Sequence, residues 1–146
     1  MTSLGVQAVI CPKCGAKLEV NVYRSINVAE SPEARDSVLA CNLNTWECPQ
    51  CGEEGMVDRD LLYNDPALGF CVWYFPPERL RDDTFVALFD ASYPPTVQKI
   101  HHNLESTDIP ALARSLYLTQ PHLVFTLMDL VYCIVFYERL LGGNRN

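Results

Sequence analysis

Four of the seven cysteines sit in two copies of one phrase, CPKCG at residues 11–15 and CPQCG at 48–52. Two cysteines three apart on a tight turn aim both sulfurs at one ion. Two such pairs close a tetrahedral shell of metal–sulfur bonds near ~2.3 Å. Pro12 and Pro49 restrict each turn beforehand, which lowers the entropy lost on closure. Gly15 and Gly52 are expected to permit the backbone conformation that turns their amides toward a sulfur. The expected ligands are therefore Cys11, Cys14, Cys48 and Cys51, in a saturated shell that organises structure instead of performing chemistry. A thioredoxin-like redox pair would open a helix within an alternating strand and helix pattern, whereas each pair here is followed by Gly and then a strand.

Tetrahedral sulfur sites accept zinc or iron. TWECPQCG resembles the second knuckle of the rubredoxins, which carry one iron on four cysteines for electron transfer. The first knuckle continues as GAKLEV, without the aromatic cluster of those proteins, and a helix-bearing insert separates Cys14 from Cys48. Zinc is the expected metal and iron the alternative.

The other reactive side chains read as ordinary. Cys71 alternates within a strand and Cys133 lies in an apolar helix, which are the settings of small core residues. Cys41 has no base near it in sequence. His101 and Glu105 are one helical turn apart, but neither they nor the adjacent His102 have a third ligand in view, so they read as surface groups. His122 is equally unremarkable beside a helix start. Tyr63, Asn64 and Asp65 read as a polar turn between strands. No Gly-rich phosphate loop, Gly-x-Ser-x-Gly elbow or His-Glu-x-x-His helix occurs, which removes the common enzyme motifs.

The elements that must position the knuckles follow from periodicity. KLEVNVYRSINV at 17–28 alternates as a half-buried strand. SPEARDSVLAC predicts a short helix over about 32–40, with Ser31 as cap and Pro32 in first position, ended by Asn42 and Asn44. LNTWEC leads as a strand into the second knuckle, GMVDRDLLYND leaves it, and GFCVWYFPP is a strand stopped by two prolines. After Pro77 the spacing becomes helical. ERLRDDTFVALFD, TVQKIHHNLE and DIPALARSLYL are predicted helices, although Asp83 and Thr84 equally suit a loop or strand, and a long apolar helix occupies 123–141. Asp129, Glu138 and Arg139 interrupt that last segment, and Thr126, Asp129, Cys133 and Tyr137 recur at helical spacing, which argues for a buried or dimer-forming helix over a membrane span.

With 11 Lys and Arg against 18 Asp and Glu, the formal charge is −7; four thiolates and one divalent ion together add −2, taking it to −9. Non-specific nucleic-acid affinity comes from counterions released by Lys and Arg, so nucleic acid is an unexpected partner. MTSLGVQAVI has no basic region ahead of an apolar stretch and reads as no signal peptide. An odd cysteine count with no disulfide framework points to a reducing, cytoplasmic setting.

With these residues placed, the chain resembles the CpXC domain family, prokaryotic proteins named for the Cys-Pro-X-Cys knuckle. The likeness spans about residues 8–77. It is carried by CPKCG, INVAESPEARDSVL, LNTWECPQCG and LLYNDPALGFCVWYFP, the last resembling the family's Leu-Leu-Tyr-His-Asp phrase with Asn64 in place of His. The resemblance implies a zinc-ribbon-like fold and supplies no biochemical activity. It also marks Tyr63, Asn64 and Asp65 as candidates for contact with a ligand or partner.

Together these observations predict an α+β protein. A zinc-ribbon-like domain at 1–77, a small antiparallel sheet with an inserted helix, is followed by a helical region at 78–146 packed on it as one unit. The expected role is a zinc-binding interaction module that binds protein partners or self-associates through its last helix. The alternatives are an iron electron-transfer protein and an enzyme using a pocket near Tyr63, Asn64 and Asp65.

Overall fold

The computed structural model describes residues 1–87 and 121–142. The expected helices TVQKIHHNLE and DIPALARSLYL, the ALFD end of a third, the His101, His102 and Glu105 group, and the GGNRN terminus lie wholly or mainly outside the described residues.

Strands β1 (Ser3–Ile10) and β2 (Lys17–Asn27) form an antiparallel hairpin whose turn is the first knuckle. Helix α1 (Pro32–Leu39) follows, then a second, shorter hairpin of β3 (Thr45–Glu47) and β4 (Glu54–Met56), whose turn is the second knuckle. Strands β5 (Leu61–Asp65) and β6 (Phe70–Tyr74) pair antiparallel. A 3-10 turn at Pro77–Arg81 leads into the one-turn helix α2 (Asp83–Val86). Strand β7 (His122–Val124) and helix α3 (Leu127–Gly142) complete the described elements.

The five-stranded sheet has the order β1-β2-β5-β6-β7, while β3 and β4 form a separate ribbon. The class is α+β, as expected. The sheet is mixed: β2 runs parallel to β5 and β6 parallel to β7, because α1 with the second hairpin, and the long stretch after β6, act as crossovers between them. The main core lies on one face, where Ile26, Leu61, Tyr63, Phe70 and Val72 of the sheet meet Ala34 and Val38 of α1 and Leu130 and Ile134 of α3. A smaller core of Val20, Val22 and Val57, flanked by Val9, Leu18 and Trp46, lies beneath the knuckles.

Several local expectations change. MTSLGVQAVI contributes a full edge strand, and its alternation is inverted: Leu4, Val6, Ala8 and Ile10 face outward while Gly5 and Gln7 face inward. Ser31 occupies the cap position of α1 without a capping side-chain bond, and the left-handed residues after the helix are Cys41 (φ 55°) and Asn44 (φ 57°). ERLRDDTF breaks at Asp82, whose Oδ1 accepts from the Thr84 and Phe85 amides at 3.0 and 3.3 Å and so caps α2.

The long apolar helix starts at Leu127, four residues later than expected. His122, Leu123 and Val124 find strand partners on β6, and Thr126 takes over the N-terminus: its Oγ1 accepts from the Asp129 amide at 3.0 Å. Among the described residues, no helix is long and apolar enough to cross a membrane.

Candidate metal centre

Each knuckle folds by the same two backbone bonds. The Cys11 amide donates to the Ala16 carbonyl at 2.8 Å and Gly15 donates to Cys11 at 2.9 Å. Their counterparts are Cys48 to Glu53 at 2.7 Å and Gly52 to Cys48 at 2.8 Å. Both glycines are left-handed, Gly15 at φ 74° and Gly52 at φ 69°, and a Cβ at either would meet no other atom. The glycine is therefore required by backbone conformation and not by crowding.

This corrects one expectation, because the glycine amides bond carbonyls and not sulfurs. The amides that turn toward sulfur come from other residues: Lys13 and Cys14 to the Cys11 thiol, Ala16 to Cys14, and Glu53 to Cys51. The left-handed glycine reverses the chain so that the following residue can do this.

The sulfurs of Cys11, Cys14, Cys48 and Cys51 all lie within 4.8 Å of one another. Two pairs across the knuckles, Cys11 with Cys51 and Cys14 with Cys48, are 3.6 and 3.5 Å apart. A tetrahedron of ~2.3 Å bonds has edges of about 3.8 Å, so four thiolates at these spacings fit a zinc- or iron-sized ion with little movement. The first cysteine of each knuckle is buried, at 1% exposure for both Cys11 and Cys48, while Cys14 is exposed and Cys51 half-buried.

The thiols also divide in acidity. Burial opposes ionisation of Cys11, but the Cys14 and Lys13 amides and the neighbouring thiols outweigh it and bring the group down to about 7. At Cys51 the Glu53 amide favours the thiolate, yet burial and the three other thiols push the group up to about 12. One sulfur thus ionises at the expense of the rest, as four thiols in mutual contact must.

Several residues that hold the hairpins in place had no role assigned from sequence. Asn44 accepts from the Tyr23 amide through Oδ1 at 2.7 Å, standing in for a strand on β2 just before β5 takes up the pairing at Ser25. Its carbonyl accepts from the Val57 amide at 2.9 Å, so one residue ties the second hairpin to the first. The only sequence signal is that Asn tolerates the left-handed conformation. Trp46 lies over Gly55, its strand partner, and packs against the small core. Lys13 pairs with Glu53 across the knuckles at 3.4 Å in the open.

The second group of candidates sits elsewhere. Tyr63, Asn64 and Asp65 form the end of β5 and not a turn; the turn is PALG at 66–69, closed by Gly69 at φ 60°. Tyr63 is fully buried in the main core, and its hydroxyl has no hydrogen-bond partner among the described residues. Burial and the nearby Glu138 carboxylate push that phenol up. Asp65 accepts from the Ala67 and Leu68 amides at 2.9 and 3.2 Å, an Asx arrangement that builds the turn. Asn64 faces the other side of the strand, its Oδ1 buried without a partner among the described residues. Cys71 is buried and Cys41 exposed, while Cys133 is half-buried beside the main core. His122 lies tilted beside the stacked Phe70–Tyr137 pair, with ring centroids 5.7 and 4.6 Å from the two.

Two surface clefts lie away from β5. One of about 450 Å³ is lined by Asp58, Arg59, Asp60, Pro76, Glu78 and Arg79. Another of about 560 Å³ lies along the second hairpin, beside Cys41, Trp46 and Met56. Tyr63, Asn64 and Asp65 line neither.

No curated protein and no solved structure matches the chain. A family model described as CpXC protein matches residues 9–140, which includes both knuckles, α1, the paired strands β5 and β6, and nearly all of α3. The match runs far past residue 77, where the sequence resemblance stopped. Two knuckles that together bring four sulfurs to one point, within a match of this extent, place the chain in the CpXC family as a protein with a four-cysteine metal-binding cluster.

Proposed function

We propose that this protein is a structural zinc module that presents surfaces to protein partners or to further copies of itself, with zinc held by Cys11, Cys14, Cys48 and Cys51. The observation that carries the reading is the completeness of the donor set. Four sulfurs at tetrahedral spacing leave no position for a substrate, and the backbone amides of both knuckles are already aimed at them. A zinc ion so bound crosslinks the β1–β2 hairpin to the β3–β4 ribbon, which otherwise rest on the small core of Val20, Val22 and Val57. Its contribution is to folding, and it supplies neither a redox couple nor an activated water.

Residues 1–77 and 78–146 act as one unit in this reading, because β7 extends the sheet and α3 completes the main core. The chain works in the cytoplasm, where its thiols stay reduced, and its acidity directs it toward proteins in preference to nucleic acid or anionic membranes.

The same sulfurs would serve an iron electron-transfer protein, and the test separates the two. Protein purified without added metal is assayed for metal content and visible absorbance beside a Cys48→Ser, Cys51→Ser variant. One zinc per chain, no colour and loss in the variant are expected. A red protein containing iron would replace the zinc reading with electron transfer. The enzyme alternative would need a pocket at Tyr63, Asn64 and Asp65. The burial of Tyr63 and the turn-building role of Asp65 favour a structural task for that strand end.

A further inference from the structure

Helix α3 has two apolar faces. Leu130 and Ile134 are fully buried against the sheet, with Leu127, Val131 and Tyr137 beside them. On the opposite side Met128, Tyr132, Phe136 and Leu140 are 48, 66, 58 and 62% exposed. These four recur every fourth residue, so they form one straight ridge about 18 Å long at 1.5 Å per residue. Four large apolar side chains in an unbroken exposed row are more than the scattered single residues a surface normally carries.

Asp129 and Arg139 are exposed at the two ends of this ridge, and neither forms an ion pair among the described residues. The order of residues has a symmetry about position 134. Met128 and Leu140 are equidistant from it, as are Tyr132 and Phe136, and as are Asp129 and Arg139.

We propose that a second copy of this chain covers the ridge, its α3 lying antiparallel across the first about a two-fold axis level with residue 134; this deepens the reading of the protein as a self-associating module and rests on it. In that arrangement Tyr132 of one copy meets Phe136 of the other at the centre, and Met128 meets Leu140 at each end. Asp129 comes level with the other copy's Arg139, twice, by symmetry. A parallel pair would instead bring Asp129 to Asp129 and Arg139 to Arg139, which is repulsive at both ends. The charges therefore select the antiparallel partner, and the partner that supplies the matching sequence is the chain itself.

The test is sedimentation equilibrium of the full chain, as purified without added metal, over a concentration series, with Phe136→Glu, Asp129→Arg, and the double exchange Asp129→Arg, Arg139→Asp. The expected result is twice the 16.5 kDa chain mass, reverting to single mass in Phe136→Glu. Asp129→Arg should weaken dimerisation about tenfold by setting like charges opposed at both ends, and the double exchange should restore it. A monomer at every concentration overturns the proposal, as does a dimer indifferent to Phe136→Glu. A dimer that the double exchange fails to restore overturns the antiparallel pairing. Metal content of the same samples separates the two readings: a metal-loaded monomer refutes the pairing and leaves the module intact, while a metal-free dimer with the expected exchange response refutes the module alone.

Discussion

Gly55 is the position at which one methyl group should decouple the metal ribbon from its core. A Cβ built there would lie 2.6 Å from Cε2 and 2.9 Å from Nε1 of Trp46, and closer still to Cζ2. All three nearest atoms belong to one rigid indole, so no flexible chain end can yield. Either the indole leaves its place against the small core or the two short strands separate, and both routes disturb the hairpin that carries Cys48 and Cys51. Overpacking of this kind costs about 1–3 kcal/mol. The reduced backbone freedom of Ala over Gly returns about 0.5–1 kcal/mol. Gly55→Ala should therefore destabilise the metal-loaded protein by about 1.5 kcal/mol. In a Trp46→Ala background the obstacle is gone, and the same substitution should stabilise by about 0.5 kcal/mol, a coupling near 2 kcal/mol. Urea unfolding of the four members of this cycle, each loaded with metal, gives the number. Equal costs of Gly55→Ala in both backgrounds would refute the assignment of Trp46 as the group that demands glycine.

Three further outcomes follow from the same geometry. Asn44→Gly keeps the left-handed conformation and loses the side-chain bonds to the Tyr23 amide and carbonyl, about 1 kcal/mol, whereas Asn44→Ala adds the strain of φ 57° and should cost about 2 kcal/mol in thermal or urea unfolding. Arg35 grips both oxygens of Glu138 at 2.6 and 2.7 Å and joins α1 to α3, so Glu138→Gln should cost about 1 kcal/mol by urea unfolding with metal content unchanged. Burial pushes the Cys71 thiol up to about 12, so its contribution is complete below the unfolded value near 9 and declines as pH rises toward 12. Under native conditions at neutral pH, mass-mapped alkylation should accordingly label the exposed Cys41 and spare Cys71 until the chain unfolds.

The chemistry of the knuckles was legible because it is local. Cys-Pro-x-Cys-Gly specifies its own turn within five residues: the left-handed glycine, the two backbone bonds and the direction of both sulfurs all follow from near neighbours. Strand β2, helix α1 and strand β6 were equally legible, since each carries the alternation or the proline placement of its own element. That the two knuckles meet is an inference from their likeness, and it needed no knowledge of the path between them.

Other features depended on partners distant in the chain. β1 turns Leu4, Val6 and Ile10 outward, so burial periodicity could not announce it; it is a strand because β2 is there to bond it through eight register pairs. β7 sits in a stretch whose composition suits a helix, and the free edge of β6 decides otherwise. The same dependence explains Tyr63 and Asp65, which look like a polar turn until β2 and β6 flank them. The sequence by itself therefore determined which four cysteines cluster, the class of fold and the apolar character of the last helix. Only the tertiary structure decided that the sheet is mixed, that Asn44 and Trp46 hold the ribbon to its core, and which apolar ridge of α3 is left facing out. Donor chemistry is carried by residues a few positions apart, whereas pairing and burial are properties of two surfaces that the chain must first bring together.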